Sequence, residues 1–456
     1  MTVTKNKFIH DADQIAFNKK HRSTIKFNIS RYDAAVERGK KLYSNLELAR
    51  QRGSWIKERV INNLHDYLIQ FEQNITANGA EVIWAETGDE AIRAVQGIIQ
   101  ENQARLIVKS KSMTTEEIEF NEHVEHLGVE SLETDLGEYI VQIAGEKPYH
   151  IVTPAMHKSK EDISSLFHEK FDTPENSTPE FITAYVRKLL RNKFMRADIG
   201  VTGSNFLIAD IGGIAVTENE GNAVMTFSFP KVHIAIAGIE KVIPSMKDLG
   251  LLWPLLAVHG TGQNISVYNS IVTGPRKEGE TDGPEKMYVI LMDNKRSELY
   301  QQDDQYLALK CIRCGACLNA CPIYKNVGGY TYSSTYSGPI GSVITPFLKG
   351  MEEYNHLSSA CSVCGKCTEV CPVKIPLHNL LLYNRRDAVE QGFGNMTWNM
   401  GMKAFEFAFM NRRRLDALSG KSKNRLAGLG KNALGDQKEL PKFADKSFSQ
   451  QWKSKK

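Results

Sequence analysis

No stretch of this chain stays apolar for long enough to cross a bilayer. The longest mostly apolar run, Leu249 to Val258, is about half the ~20 residues of a spanning helix and is interrupted by Pro254. The N-terminus, Met1-Thr-Val-Thr-Lys5, lacks the apolar stretch of a secretory signal, so a cytoplasmic protein with at most peripheral membrane contact is expected. Nucleotide fingerprints are missing too: no Gly-x-Gly-x-x-Gly opens a helix after a strand, and no Gly-x-x-x-x-Gly-Lys-[Ser/Thr] occurs. Nor is there much excess of one charge. A net +4 over 456 residues is too small to imply a nucleic-acid partner. The exception is local: residues 401–456 hold fourteen Lys or Arg against five Asp or Glu, densest at Arg412-Arg413-Arg414 and Lys453-Ser-Lys455-Lys456. Such a tail suits an acidic partner, anionic lipid or nucleic acid, and a solvated, flexible segment explains the same residues. With 41% apolar and 24% charged residues, the remainder is ordinary globular composition of a length that suggests about three domains.

Cysteine is scarce as well, and no copy is spare. All eight lie in two runs of one pattern, Cys311-Ile-Arg-Cys314-Gly-Ala-Cys317-Leu-Asn-Ala-Cys321-Pro322 and Cys361-Ser-Val-Cys364-Gly-Lys-Cys367-Thr-Glu-Val-Cys371-Pro372. A disulfide framework is thereby disfavoured, since nothing points to an oxidising compartment. Zinc ribbons separate one close cysteine pair from another, whereas here four cysteines crowd into eleven residues, twice. The repeated spacing is instead the ferredoxin run that holds 4Fe-4S clusters. Three cysteines wrap a tight glycine-containing turn around one cube, and the fourth, carried off at the start of a helix, reaches the other. Cluster A is therefore assigned to Cys311, Cys314, Cys317 and Cys371, and cluster B to Cys361, Cys364, Cys367 and Cys321.

Along the chain, residues 31 to 75 read as helix, with Leu42, Leu46, Leu48, Ile56, Val60, Leu64, Leu68 and Ile69 at mostly three- and four-residue steps. From Asn78-Gly79 to about residue 293, short β-rich runs alternate with amphipathic helices. The runs are Val82–Ala85, Leu106–Val108, Tyr139–Ile143, His150–Val152, Ala197–Val201, Gly213–Val216, Val232–Ala237 and Met287–Met292. Alternation on this scale predicts βα units around a largely parallel sheet. Between Cys321 and Cys361, an insertion with Tyr330, Tyr332 and Tyr336 and a helix near Ser342–Leu348 is expected to shield the clusters, its tyrosines packing inward. Helix is expected again from Pro376 to about 416. The boundaries implied are 1–75 helical extension, 76–297 α/β domain, 298–416 helical cluster domain and 417–456 basic tail.

Two constellations in the α/β part suit a ligand. Gly200 to Asn222 is dense in glycine and small polar residues beside strands, with Glu218, Glu220 and Asn222 available for polar contacts; tight turns explain the same residues. Lys109 and Lys111 end a strand just before a helix with Thr114 and Glu117 in capping-box spacing. Lysines there suit a carboxylate or phosphate, although an ordinary cap needs no ligand. His150, His157, His233 and His259 fall in or beside sheet elements, where a lone histidine is more often a core residue than a base. Asp135 and Glu138 are candidate polar ligands on a turn. No catalytic residue is assigned.

Lys109-Ser-Lys-Ser-Met113, Glu133-Thr-Asp-Leu-Gly-Glu-Tyr139, His150-Ile-Val-Thr-Pro-Ala-Met-His157, Ala197–Asn205 and Thr217–Asn222, followed by the cysteine runs with Gly338-Pro-Ile-Gly341 between them, closely resemble the bacterial lactate-utilisation iron-sulfur proteins, B subunits of three-part L-lactate oxidising systems. The resemblance covers about residues 30 to 420. It implies an α/β lactate-utilisation domain, similar to CoA-transferase and sugar-phosphate isomerase relatives, followed by a mainly helical ferredoxin-like domain with two 4Fe-4S clusters. It implies two partners as well: a cysteine-rich subunit similar to heterodisulfide reductase components, and a small subunit sharing the lactate-utilisation domain. Removing two electrons from a 2-hydroxy acid normally needs a two-electron cofactor, and this chain has no motif for one. The expected role is therefore electron transfer within an NAD-independent L-lactate dehydrogenase complex. A catalytic subunit and an iron-sulfur redox sensor are the alternatives.

Overall fold

The computed structural model describes residues 2–394, 396–429 and 442–455. They fall into two compact units, residues 1–388 and 389–456.

In the first unit, ten strands are formed: β1 Glu81–Ala85, β2 Leu106–Lys109, β3 Glu130–Glu133, β4 Ile199–Thr202, β5 Phe206–Ile208, β6 Gly213–Glu218, β7 Val232–Gly238, β8 Val242–Ile243, β9 Tyr268–Val272 and β10 Lys286–Met292. Six make a wholly parallel sheet in the order β1-β10-β7-β4-β2-β3. Four make a second, mixed sheet, β8-β5-β6-β9. The central strands β4 and β7 are buried along their whole length, which is why they read as continuous apolar runs rather than alternating ones. Helix Gly88–Glu101 covers one face through Ala91, Ile92, Val95, Ile98 and Ile99, a stripe at helical period. Each buried Ile or Val there is worth about 1.5–3 kcal/mol. The Thr87 hydroxyl caps its start by accepting the Glu90 N–H at 3.2 Å. Gly200 in β4 is obligatory for another reason: a Cβ there would sit 1.8 Å from the Thr226 carbonyl oxygen of the helix Asn222–Ser228.

Several sequence expectations are corrected. Tyr139–Ile143 belongs to helix Leu136–Ile143, capped by Asp135, whose carboxylate accepts the Glu138 N–H at 3.0 Å. His150–Val152 lies in a loop. The helix after Lys111 is capped by Ser112 rather than by Thr114, and it breaks into Met113–Glu117 and Phe120–Glu125 where Glu119 turns left-handed. The stretch 31 to 75 is helical but falls on three helices, Lys19–Lys40, Leu46–Asn62 and Leu64–Ala77, with a further helix, Val3–Phe17, before them. Ile56, Val60, Leu64 and Leu68 are core, but Leu42, Leu48 and Ile69 are exposed. Strands β3, β5, β8 and β9 were not anticipated, being short or polar.

The cysteine-rich part is helical and packs among the N-terminal helices. Phe8 meets Tyr332 and His356 at ring-centroid distances of 6.0 and 5.3 Å. From the helix Leu46–Asn62, Ser54 and Glu58 accept from Lys310 at 2.8 and 2.9 Å. Within the insertion, Tyr332 and Tyr336 are buried and Tyr330 is exposed.

In the second unit, helices Met396–Phe409, Arg412–Ala417, Gly420–Leu429 and Phe448–Lys453 are formed. The expected flexible tail from 417 thus contains two helices, and its residues 430–441 lie outside those described. No helix among the described residues is long and apolar enough to cross a membrane.

Candidate metal centre and the pocket beside it

The two cysteine runs fold alike. Arg313 and Val363, each just before the second cysteine, take φ of +60° and +55°, and Gly315 and Gly365 both take +78°. Left-handed backbone at these points curls the chain so that its N–H groups turn toward sulfur. The Arg313 N–H donates to Cys311 Sγ at 3.4 Å, and the Val363 N–H donates to Cys361 Sγ at 3.2 Å. The fourth cysteines differ. Cys321 caps the helix Pro322–Val327, its sulfur accepting the Tyr324 N–H at 3.5 Å, whereas Cys371 leads into a turn closed by the Ile375 N–H at 3.4 Å, with helix resuming only at Leu377.

Cys311, Cys314, Cys317 and Cys371 line one small cavity together with Ile312, Ile340, Val373 and Ile375. Cys321 lies instead among Cys361, Cys364 and Cys367, close enough for these thiols to disturb one another's ionisation. The helices within the runs, Ala316–Ala320 with Cys317 and Lys366–Val370 with Cys367, pack against each other. Cys314, Cys317, Cys367 and Cys371 are buried, while Cys364 is exposed.

Burial, and then the neighbouring thiols, push Cys314 and Cys317 well above the ordinary thiol value and Cys367 up to about 12. Burial likewise raises Cys371 to about 11, against the pull of the Ile375 N–H. Three buried sulfurs and that of Cys311, facing one cavity, do not ionise together unless a cationic core occupies it, and a bound metal deprotonates such thiols outright. Among the described residues no group of three or more His, Cys, Asp or Glu is arranged to hold a metal ion. Cys311, Cys314, Cys317 and Cys371 line the walls of one cavity, as a polynuclear cluster requires. The donor set fits iron–sulfur.

A second cavity, of about 470 Å³, opens beside the first run. It sits where β2, β3, β4 and β7 end, the carboxyl edge at which open α/β sheets receive ligands. Lys111, Asp135, Glu218, Glu220, Asn222, Lys241, Arg313, Cys314 and Tyr336 are among its lining residues. Of the sequence candidates, Lys111, Glu218, Glu220 and Asn222 are therefore gathered here, along with Asp135. Lys111 stands 3.8 Å from Asp135 and donates to the Val152 carbonyl at 3.0 Å. Glu218 is fixed by the N–H groups of Ala223 and Val224 at 2.7 and 2.9 Å, and burial raises its carboxyl.

Lys109 is elsewhere. It is fully buried, paired with Glu133 at 2.6 Å and Glu116 at 3.1 Å, and accepted by the Thr115 hydroxyl at 3.1 Å. Burial opposes its charge, but Glu133, Glu116 and Glu138 outweigh it and raise its pKa. Glu138 belongs to this network, its carboxyl pushed well up by burial and then by Glu133. The histidines are spread out. His233 is buried in β7, against the Thr202 hydroxyl at 2.8 Å, and burial lowers it to about 3. His259 lies in helix Leu249–Thr261, its Nδ1 2.8 Å from the Leu255 carbonyl, and burial lowers it to about 4. His157 pairs with Glu146 at 2.7 Å. His150, lowered to about 3 by burial and then by Lys111, lies beside Gly315.

Of the charged groups that join the two layers, Lys57, Glu240 and Arg296 were missed from sequence, and Glu117 was noted only for its capping-box spacing. Arg296 is buried between Glu117 at 2.8 Å and Glu240 at 2.6 Å; Glu240 also reaches Arg313 at 3.4 Å, and the Arg313 guanidinium lies over the Tyr336 ring at 4.4 Å. Lys57, lowered to about 7 by burial, donates to the Glu240 carbonyl at 2.7 Å. One signal was available: Glu240-Lys241 follows the all-apolar β7 directly, at a strand end where charge has to be accounted for.

Residues 68–292 match the LUD domain and residues 307–375 the 4Fe-4S dicluster domain. The lactate utilization protein B of Bacillus velezensis is 44% identical over 371 residues, covering 79% of this chain and 78% of that protein. That of Bacillus thuringiensis is 43% identical over 411 residues, covering 89% and 85%. The chain belongs to the lactate utilization protein B family. A crystal structure of a DUF162 family protein from Deinococcus radiodurans aligns with a TM-score of 0.28 at 15% identity, over 50% of this chain and 98% of that one. With the family in hand, the α/β layer is the LUD domain, and the helical, cysteine-rich layer is an iron–sulfur domain.

Proposed function

We propose that this chain is the electron-transferring iron–sulfur subunit of a multi-subunit system that oxidises L-lactate to pyruvate. It holds two 4Fe-4S clusters, one on Cys311, Cys314, Cys317 and Cys371, the other on Cys361, Cys364, Cys367 and Cys321. Its partners are a cysteine-rich subunit of heterodisulfide-reductase type and a small subunit with its own LUD domain, and the division at about residues 75, 297 and 416 separates the working parts. The observation that carries this reading is the meeting of Cys371 with the first run around one cavity, and of Cys321 with the second run.

When bound, such clusters accept and donate single electrons. The chain's own residues set the conditions. Ile312, Ile340, Val373 and Ile375 exclude water from the first sulfur set, while the exposed Cys364 brings the second set to the surface, where a partner can approach. Arg50 and Arg385 donate to the carbonyls of Cys371 and Cys361 at 2.9 and 2.6 Å, fixing the chain at one cysteine of each set.

The test is anoxic co-purification of the native assembly, followed by low-temperature paramagnetic resonance before and after L-lactate. The reading predicts reduced-cluster signals that grow with lactate only while the partner subunits are present. Full reduction of the isolated chain by lactate would move the chemistry onto this polypeptide.

A further inference from the structure

The lysine that is free to meet a ligand is not one the sequence singles out. Lys111 is engaged by Asp135 and the Val152 carbonyl. Lys241, just past the end of β7, is 8% exposed, lines the 470 Å³ pocket, and makes no hydrogen bond or ion pair among the described residues. Beside it, Nη1 of Arg313 is buried without a hydrogen-bond partner, on a side chain 13% exposed. Glu240, itself held by Arg296, and the sulfur of Cys311 answer part of this charge. A buried lysine without a partner among the described residues and a guanidinium nitrogen left unpaired thus face one cavity, where an anion would complete them.

The rest of the lining limits which anion. Asp135, Glu218 and Glu220 contribute carboxylates to the same cavity. They repel a phosphate ester or other multiply charged ligand, yet they accept hydrogen bonds from a hydroxyl. We propose that this pocket binds a small carboxylate bearing an adjacent hydroxyl or carbonyl group, its carboxylate taken by Lys241 and Arg313 and its other polar end turned toward the acidic wall. Cys314 lines the same cavity, so the bound acid lies against the first sulfur set. The anion site stands on this geometry; the choice of a 2-hydroxy or 2-oxo acid rests on the lactate-utilisation reading.

The experiment is equilibrium binding of L-lactate, pyruvate and inorganic phosphate to the anoxically purified full chain, with iron and sulfide counted on the same samples. One saturable site for L-lactate or pyruvate is expected, weakened at least tenfold in Lys241→Gln and retained in Lys241→Arg, with iron and sulfide content unchanged. Phosphate binding as tight as the carboxylates, equal affinity in Lys241→Gln, or no saturable carboxylate binding to wild-type chain would overturn the proposal. The wild-type isotherm decides even if Lys241→Gln does not fold. Loaded iron and sulfide without carboxylate binding defeats the pocket alone, whereas missing iron and sulfide defeats the cluster reading.

Discussion

A β-branched side chain rarely accepts a positive φ, yet Val363 sits at +55°, in register with Arg313 at +60° in the other run. Strain of this order, about 1–3 kcal/mol, persists where something else fixes the backbone, and here that is the need to aim N–H groups at sulfur. The same residue-scale logic yields a prediction about the exchanged cysteines. Cys371→Ser should degrade the spectrum of the cluster held by Cys311, Cys314 and Cys317 and spare the other, while Cys321→Ser should do the converse. If each serine damages only the cluster of its own run, the exchange is wrong. The cysteine pattern was legible because it is contiguous. Lys241 and Arg313 were not, because what matters about them is convergence across about seventy residues of chain, which no local spacing encodes.

At the scale of elements, strands buried on both faces announced themselves as apolar runs, and β2, β4, β6, β7 and β10 were readable for that reason, whereas the half-exposed edge strand β1 was readable from its β-rich composition. Tyr139–Ile143 reads equally apolar but is a helix, because Asp135 caps it and its buried face packs beside β3. Polar Glu130–Glu133 is a strand because Glu133 meets Lys109, a partner invisible to propensity. Buried charge also ties layers together. Arg296 sits 3% exposed between two carboxylates that are themselves 4% and 2% exposed. Arg296→Leu leaves both carboxylates buried without their cation, and a loss of about 3–5 kcal/mol is expected. Chemical denaturation of the anoxic protein measures it; a change below about 1 kcal/mol would show that the network contributes nothing net to stability.

For the whole molecule, the buried neutral histidines set the acid limit. Burial lowers His233 from 6.5 to about 3 and His259 to about 4, so between those values and 6.5 the unfolded chain binds protons that the folded chain does not. Their contribution to stability is therefore complete above pH 6.5 and falls as pH drops. Glu240 adds to the loss lower down: burial opposes its charge, but Arg296 and Arg313 outweigh it and lower it from 4.5 to about 2, so its share disappears between those values. From pH 6.5 to 5, His233 alone should cost about 2 kcal/mol, and His233→Gln should flatten that part of the profile. An unchanged slope in the variant would mean that the imidazole is already protonated in the fold.

All of this depends on eight sulfurs holding two polynuclear clusters rather than two single ions. The most direct measurement is the iron, zinc and acid-labile sulfide content of anoxically isolated protein. The account predicts about eight iron and about eight sulfide per chain. Two zinc per chain with no labile sulfide, persisting after attempted reconstitution, would contradict it.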